Sequence, residues 1–457
     1  MTDRRDKNIQ KSEPPMEEIR EQIKGLLELE ELVELKRFLE HTEPEDIAEV
    51  LGDFSPEEKV VIFNSLKVSD AAVVLDDTDP QSRLQILQKL DSSTLSSVLD
   101  EMPVDEAADI IEEASKEERE ELLDLMEKED AQDVEEILSY PEDSAARVMN
   151  PELVVVKESD AIEDAVRHIR SLEVDEDVFY VYVVDEEGKL KGTVPIRKFL
   201  TVQRGTKIKT IMEEDTHYVH ADADQEEAAR IIKKYDVASL PVIDSEGVLM
   251  GRITVDDIID VVDEERGEDI SHMTGTIEEE QGKESTFMAT RNRLPWLVTC
   301  MLGSIITGLV IQMFQVTLEE IIALVCFIPV ITATGGNSGV QASTVVVREI
   351  ALGTMDLSRV GEEIWRQFKI ALGLALICGT LLTVLANFWK KNSVVGFIVG
   401  LSIFLVVVWS NFVGVLIPVL FKRFKIDPAI ASGPLITTLN DVVGVFIYLN
   451  VATFFLR

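Results

Sequence analysis

AIASGPLITTLNDVVGVFIYLNVATFFL, residues 429–456, is long enough to cross a bilayer and carries a single acidic or basic residue, Asp441. A helix needs about 20 mostly apolar residues to span the hydrocarbon core. Four further stretches reach that length: 294–315, 321–347, 370–389 and 394–421. Lys, Arg, Glu and His are absent from all five. One such run can be the buried helix of a soluble protein, but five in succession read as a membrane domain. Arg291 and Arg293 precede the first span, Arg348, Arg359, Arg366 and Lys369 follow the second, and Lys422, Arg423 and Lys425 follow the fourth. Basic residues concentrate in cytoplasmic loops, which places the N-terminus in the cytoplasm and Arg457 outside. Lys390 and Lys391 point the other way and are outnumbered. The opening MTDRRDKNIQ has no apolar run, so no cleaved signal peptide is expected.

Inside the spans, Asp441 is the feature that points to function. An acid at mid-bilayer costs roughly 2.5–3.5 kcal/mol on insertion scales and usually marks an ion or proton path; the bland alternative is a protonated Asp bonded to a neighbouring helix. Thr437, Thr438, Asn440 and, in the second span, Asn337 would supply oxygen ligands around it. No amine, imidazole or thiolate accompanies them, which favours hard cations over zinc, copper or iron. The second span contains Thr334-Gly335-Gly336-Asn337-Ser338-Gly339 and the fifth Ser432-Gly433-Pro434. Both are poor helix sequences, expected either to break the helix where it lines a wet cavity or to let helices pack closely.

Charge is distributed very unevenly. The 457 residues hold 44 Lys and Arg against 85 Asp and Glu, a net −41, yet residues 291–457 alone sum to +4 and residues 1–290 to −45. Such an acidic half excludes duplex nucleic acid, whose binding requires a basic surface, and favours cations. The three cysteines, Cys300, Cys326 and Cys378, have no ligand spacing and no even pairing, so neither a disulfide framework nor a zinc site is expected.

Residues 16–147 read as short amphipathic helices in which a start signal recurs every 24 residues: Asp46-Ile47-Ala48 with Asp70-Ala71-Ala72, Pro56 with Pro80, Glu106-Ala107 with Asp130-Ala131. Units this short bury a face only by stacking into a superhelix. Residues 148–210 and 211–262 alternate strand-like and helical runs, and the unit occurs twice. Met149-Asn150-Pro151 opens one copy and Ile211-Met212-Glu213 the other; Asp185-Glu186-Glu187-Gly188 and Gly192-Thr193-Val194 match Asp244-Ser245-Glu246-Gly247 and Gly251-Arg252-Ile253-Thr254. This resembles a tandem pair of CBS domains. Such pairs often bind adenine nucleotides, and their Gly-x-x-Thr-x-x-Asp ending can hold a ribose. The second copy has it as Gly251, Thr254 and Asp257, whereas Pro195 and Lys198 replace the Thr and Asp in the first. The resemblance implies at most one full site for ATP or another adenine nucleotide, at Tyr180, Thr254 and Asp257. Between Asp256 and Glu284 lie twelve acids and two bases, and 263–290 reads as an acidic connecting helix into the membrane domain, 291–457. Residues 1–15 read as disordered.

The fold class is thus multidomain: an all-α superhelical N-terminal domain, an α/β CBS pair and an α-helical transmembrane domain of five spans. That order, together with Gly335-Gly336-Asn337-Ser338-Gly339-Val340-Gln341 and Pro434-Leu435-Ile436-Thr437-Thr438-Leu439-Asn440-Asp441, resembles the MgtE family of magnesium channels. The resemblance implies a homodimer in the cell membrane, with Asp441 of each copy facing its twin across a pore and carbonyls near Thr437 helping to recognise the ion. It implies Mg²⁺ as both cargo and regulator, sensed by Asp105 and Asp109 of the helical domain and by Asp224, Glu226, Asp236, Asp257, Asp260, Glu265 and Glu268. No P-loop sequence and no catalytic constellation is present, so an enzyme is not expected. Oxygen ligands leave transport of Co²⁺ or Mn²⁺ open as an alternative, and a membrane-anchored adenylate sensor stays open as another.

Overall fold

The computed structural model describes residues 16–172, 178–203, 205–274, 276, 286–351, 355, 360–424, 426–431 and 433–456, apart from the side chains of residues 113, 117, 129, 269, 273, 286, 288 and 431. Residues 1–15, connector residues 277–285, and Arg359, Lys425, Ser432 and Arg457 lie outside the described residues. The chain divides into two compact units, Met1–Val262 and Asp263–Arg457.

In the first unit helices follow one another from α1 (Met16–Glu28) and α2 (Leu32–Leu39) to α10 (Lys128–Leu138). The spacing of 24 is structural: α3 (Pro44–Leu51) and α5 (Val68–Asp77), α4 (Pro56–Phe63) and α6 (Pro80–Leu87), α7 (Ser92–Leu99) and α9 (Lys116–Leu125), α8 (Val104–Glu113) and α10 each start 24 residues apart. Most of these helices pack on the next but one, α1 on α3, α3 on α5, α5 on α7, α7 on α9, α4 on α6 and α8 on α10, so their apolar stripes merge into one core that includes Ile47, Leu51, Ile62, Leu75, Ile86, Leu99, Ile110 and Ile137. The starts are fixed by caps. Pro80 occupies the first turn of α6 while Asp79 accepts from the N–H groups of Gln81 and Ser82, and Ser55 and Glu58 form a reciprocal capping box on α4. Part of the acidity is therefore helix-end chemistry.

Two three-stranded sheets follow. β1 (Val155–Lys157) runs parallel to β2 (Tyr180–Val184), which pairs antiparallel with β3 (Leu190–Pro195); β4 (Val219–His220), β5 (Ser239–Ile243) and β6 (Leu249–Thr254) repeat the order. The register repeats as well: Tyr180 opposes Pro195 as Ser239 opposes Thr254, and a bulge interrupts both ladders at the same place, Val183/Val184 and Val242/Ile243. Helices α11 (Ile162–Ile169), α12 (Ile196–Thr201) and α13 (Gln225–Tyr235) complete the pair. The opening segments clasp crosswise. Asn150 exchanges backbone bonds with Arg252 at 2.7 and 2.9 Å, and Glu213 does the same with Thr193 at 2.8 and 3.1 Å. Gly251 and Gly192 permit this approach: a Cβ on them would lie 2.7 Å from Asn150 O and 2.5 Å from Glu213 O. Helix α14 (Val255–Thr274) begins within the second copy and carries the chain from one unit into the other.

The second unit holds α15 (Thr286–Met313), α16 (Gln315–Glu320), α17 (Ile328–Ala351, after a 3₁₀ turn), α18 (Val360–Lys390), α19 (Ser393–Arg423) and α20 (Pro434–Leu456). Among the described residues, five of its helices are long and apolar enough to cross a membrane. The glycine-rich stretch 334–339, for which a helix break was one expectation, is continuous helix within α17. Its glycines serve the other expectation, close packing. Gly335 faces Val406 and Ser410 of α19, Gly336 faces Thr437 of α20, and Gly339 faces Asn440 and Ile436 of α20. Helical hydrogen bonding satisfies the backbone there, which in hydrocarbon is worth more than glycine's poor helix propensity.

Candidate functional site

Pro434 opens α20 at the position where a missing N–H is harmless, and the next turns set three faces. Thr437 and Asp441, one turn apart, share the face toward Gly336: a Cβ on Gly336 would lie 3.3 Å from Thr437 Cγ2 and 3.9 Å from Asp441 Oδ1. Thr437 Oγ1 donates to Gly433 O at 3.2 Å, which leaves its lone pairs facing outward for a cation or its water shell. The Thr437 carbonyl lies inside a regular helix, where one lone pair serves the helical ladder and a second remains. Asp441 is half-buried. Asn337, beside Gly336 on α17, is exposed.

The remaining candidates in the spans point elsewhere. Thr438 packs against Gly303 of α15, a face away from Asp441. Asn440 is fully buried against Gly339, and neither its Oδ1 nor its Nδ2 has a hydrogen-bond partner among the described residues. Asn411, a polar interruption of the fourth span, ties α19 to α17 by donating to Ser338 Oγ at 2.6 Å.

In the first unit the acidic candidates fall into separate groups. Asp105 is buried and accepts from Asn150 Nδ2 at 3.2 Å, while Asp109 lies 3.4 Å from Arg147, which also pairs with Glu112. These acids on one face of α8 thus hold the entry to the CBS pair. Asp224 caps α13 by accepting from Glu226 N at 2.9 Å, and Asp236 ends the same helix in the left-handed conformation at φ 57°. Asp224, Glu226 and Asp236 are exposed. Asp257 takes both the N–H and the hydroxyl of Thr254 on one oxygen, each at 2.7 Å; burial raises its carboxyl, and those two bonds hold it back.

Asp76, near the end of α5, was missed by sequence reasoning. Burial pushes its carboxyl up to about 6; Arg83 opposes this, and the like charges of Asp77, Asp260 and Asp257 add to it. The charges of Asp257 and Asp260 on α14 thus reach Asp76 of the helical domain. The acidic stretch Asp76-Asp77 was a weak signal, because pairs of acids are common throughout this half. In the second unit Glu268 lies 3.7 Å from His272, whose Nδ1 is 2.9 Å from Asp427, and Glu265 is half-buried on the same helix. Among the described residues, no three His, Cys, Asp or Glu side chains gather as a metal-binding group.

The nucleotide candidates lie near one another. Tyr182 of β2 and Ser239 of β5 join the two copies through their hydroxyls at 2.7 Å, and Ser239 is the strand partner of Thr254. Tyr180 lies two residues before Tyr182 and hence on the same face of β2. In the first copy Lys198, at the position of the ribose acid, donates to Ile211 O and Glu213 Oε1, both at 2.9 Å.

Comparison with known proteins follows this layout. The MgtE family model, described as a divalent cation transporter, matches residues 328–451; the MgtE intracellular N domain matches 42–143, and CBS domains match 145–205 and 208–264. The chain is 38% identical over 334 residues to the magnesium transporter MgtE of Thermus thermophilus, an alignment spanning 71% of this chain and 72% of that one. It is 36% identical over 329 residues to that of Bacillus subtilis, spanning 70% and 71%. Among solved structures, the cytosolic domain of the Mg²⁺ channel MgtE in complex with ATP is similar at TM-score 0.51 and 34% identity, over 53% of this chain and 99% of that one. The soluble part of a magnesium transporter is similar at TM-score 0.51 and 27% identity. On this evidence the chain is a membrane transporter rather than an enzyme, and it belongs to the MgtE family of divalent cation transporters.

Proposed function

We propose that this chain is a Mg²⁺ channel or transporter of the cell membrane that admits the ion down its electrochemical gradient and closes when cytosolic Mg²⁺ binds its acidic half. The observation that carries this reading is Asp441, the one residue among Asp, Glu, Lys, Arg and His in the five apolar stretches, held on the Thr437–Gly336 face. In a homodimer, two such faces meet and two carboxylates flank the path. Mg²⁺ gives up its water reluctantly and is held well by one or two carboxylates through its hydration shell. A divalent ion entering a cell gains about 4.6 kcal/mol per 100 mV of membrane potential, so no coupled hydrolysis is required. The relatives named above transport magnesium, which favours Mg²⁺ over Co²⁺ or Mn²⁺ as the cargo.

Regulation in this reading is a population shift. Without metal, Asp76, Asp77, Asp257 and Asp260 repel; bound Mg²⁺ bridges them, and the compact form dominates. Asp105, Asp109, Asp224, Glu226, Asp236, Glu265 and Glu268 are the further sensor acids. The CBS pair fits one adenine nucleotide, at Tyr180, Thr254 and Asp257, because Lys198 ties up the corresponding corner of the first copy. The N-terminal half lies in the cytoplasm and the C-terminus outside.

Mg²⁺ flux into vesicles holding the purified chain tests the proposal. Native protein is expected to pass Mg²⁺ ahead of Co²⁺ and Mn²⁺ supplied in competition, and Asp441→Ala to abolish flux while the protein stays folded. Undiminished flux in Asp441→Ala overturns the assignment.

A further inference from the structure

Helix α20 carries a second polar group in its buried part. Asn440 is 0% exposed, and both ends of its amide lack a hydrogen-bond partner among the described residues. It lies in the notch that Gly339 leaves on α17, where a Cβ would collide with Asn440 Nδ2 and would lie 3.0 Å from Ile436 Cγ2 and 3.3 Å from Ser410 O. One turn earlier on the same face of α17, a Cβ on Gly335 would lie 3.3 Å from Ser410 Oγ. Ser410 is also 0% exposed, and its hydroxyl likewise has no partner. Within one turn, α17 thus meets Ser410 Oγ and Val406 beside Gly335 and the Asn440 amide, Ile436 and the Ser410 carbonyl beside Gly339. The adjacent Asn411 shows what a satisfied amide looks like here: it donates to Ser338 Oγ at 2.6 Å and Val407 O at 2.9 Å.

An amide in a membrane-embedded helix bundle has no bulk water to turn to, so its groups must be satisfied from within. Leucine has the same branched shape without that requirement, so an apolar side chain could occupy this helix face. Two to four polar partners in a small enclosed space are what a buried water needs. We propose that Asn440 and Ser410 form a buried water site at the junction of α17, α19 and α20. Asn440 is then a positioning residue: through that water it fixes the rotation of α20. Successive helical residues differ by 100°, so holding Asn440 in the Gly339 notch holds Asp441 on the Gly336 face.

The transport part of this inference rests on the proposed role of Asp441; the water itself does not. Radiolytic labelling of the intact protein in ¹⁸O-water reports side chains beside bound water. Ile436, 0% exposed, is expected to take up label in native protein and to lose it in Asn440→Leu and in Ser410→Ala. In vesicles, Asn440→Leu is expected to lower maximal Mg²⁺ flux roughly tenfold with half-saturation little changed, the signature of lost positioning rather than lost binding. Ser410→Thr, which keeps the hydroxyl, stays near native. Because both side chains act through one water, Asn440→Leu/Ser410→Ala falls no further than Asn440→Leu alone. An unlabelled Ile436 in native protein, native flux in Asn440→Leu, or losses that multiply in the double variant each overturn the proposal. Should Asn440→Leu fail to assemble, labelling of native protein and of Ser410→Ala decides. Native protein that labels at Ile436 but passes no Mg²⁺ contradicts the transport reading while leaving the water site standing.

Discussion

Asp76 shows how a single side chain links stability to pH. Its folded carboxyl titrates at about 6 against an ordinary 3.8, so the fold favours the protonated form. The contribution is complete below pH 3.8, falls as pH rises toward 6, and is absent above it, a loss of roughly 1–3 kcal/mol. Glu58, Asp91 and Glu118 act in the opposite sense, since N–H and hydroxyl groups of Ser55, Thr94 and Ser115 hold them below their ordinary values. Asp76→Asn is therefore expected to raise the stability of the intact protein at pH 7 and to flatten its profile between pH 4 and 6 relative to native. Thermal unfolding at a series of pH values checks this, and parallel profiles for the two proteins count against it. Asp441 was legible from sequence because no other acidic or basic residue stands in its span. Asp76 was not, because its neighbours Asp257 and Asp260 lie far along the chain and only folding brings them near.

At the scale of elements, periodicity carried the most information. The 24-residue rhythm of Pro56 and Pro80 reappears in the helix starts, and the twin CBS openings, Met149-Asn150 and Met212-Glu213, reappear as twin clasps onto β6 and β3. Composition was less decisive in α17. Glycines that look like breakers to a local reading stay helical because the bilayer leaves the backbone no other partner, and because α19 and α20 need the room. Which face of α20 each polar residue takes depends on those neighbours, so Thr437, Thr438 and Asn440 looked equivalent in sequence and separate in the structure. The clasps give a direct prediction. Gly251→Ala puts a methyl against Asn150 O and Met149, and is expected to lower stability by about 2–3 kcal/mol; Gly25→Ala, in open space on α1, serves as the control. Equal unfolding midpoints for these two variants contradict the clasp.

For the whole molecule, the division of charge is the organising fact: −45 in residues 1–290 and +4 beyond. The acidic half holds 77 Asp and Glu against 32 Lys and Arg, and within it Asp76 of α5 lies under the like charges of Asp257 and Asp260 of α14. If Mg²⁺ closes the protein by bridging those acids, Asp257→Asn/Asp260→Asn is expected to pass Mg²⁺ at cytosolic concentrations that silence native protein. Flux titrated against metal on the cytosolic face measures this, and unchanged inhibition removes the sensor role of that pair. The central claim is narrower: water and ions reach Asp441. Thiol accessibility measures it most directly, in protein whose Cys300, Cys326 and Cys378 are replaced and which carries Asp441→Cys. A small water-soluble thiol reagent is expected to modify position 441 in intact membranes, and Mg²⁺ to slow the reaction; a thiol that stays unreactive from both sides of the membrane, in folded protein, rules out an aqueous path to this position.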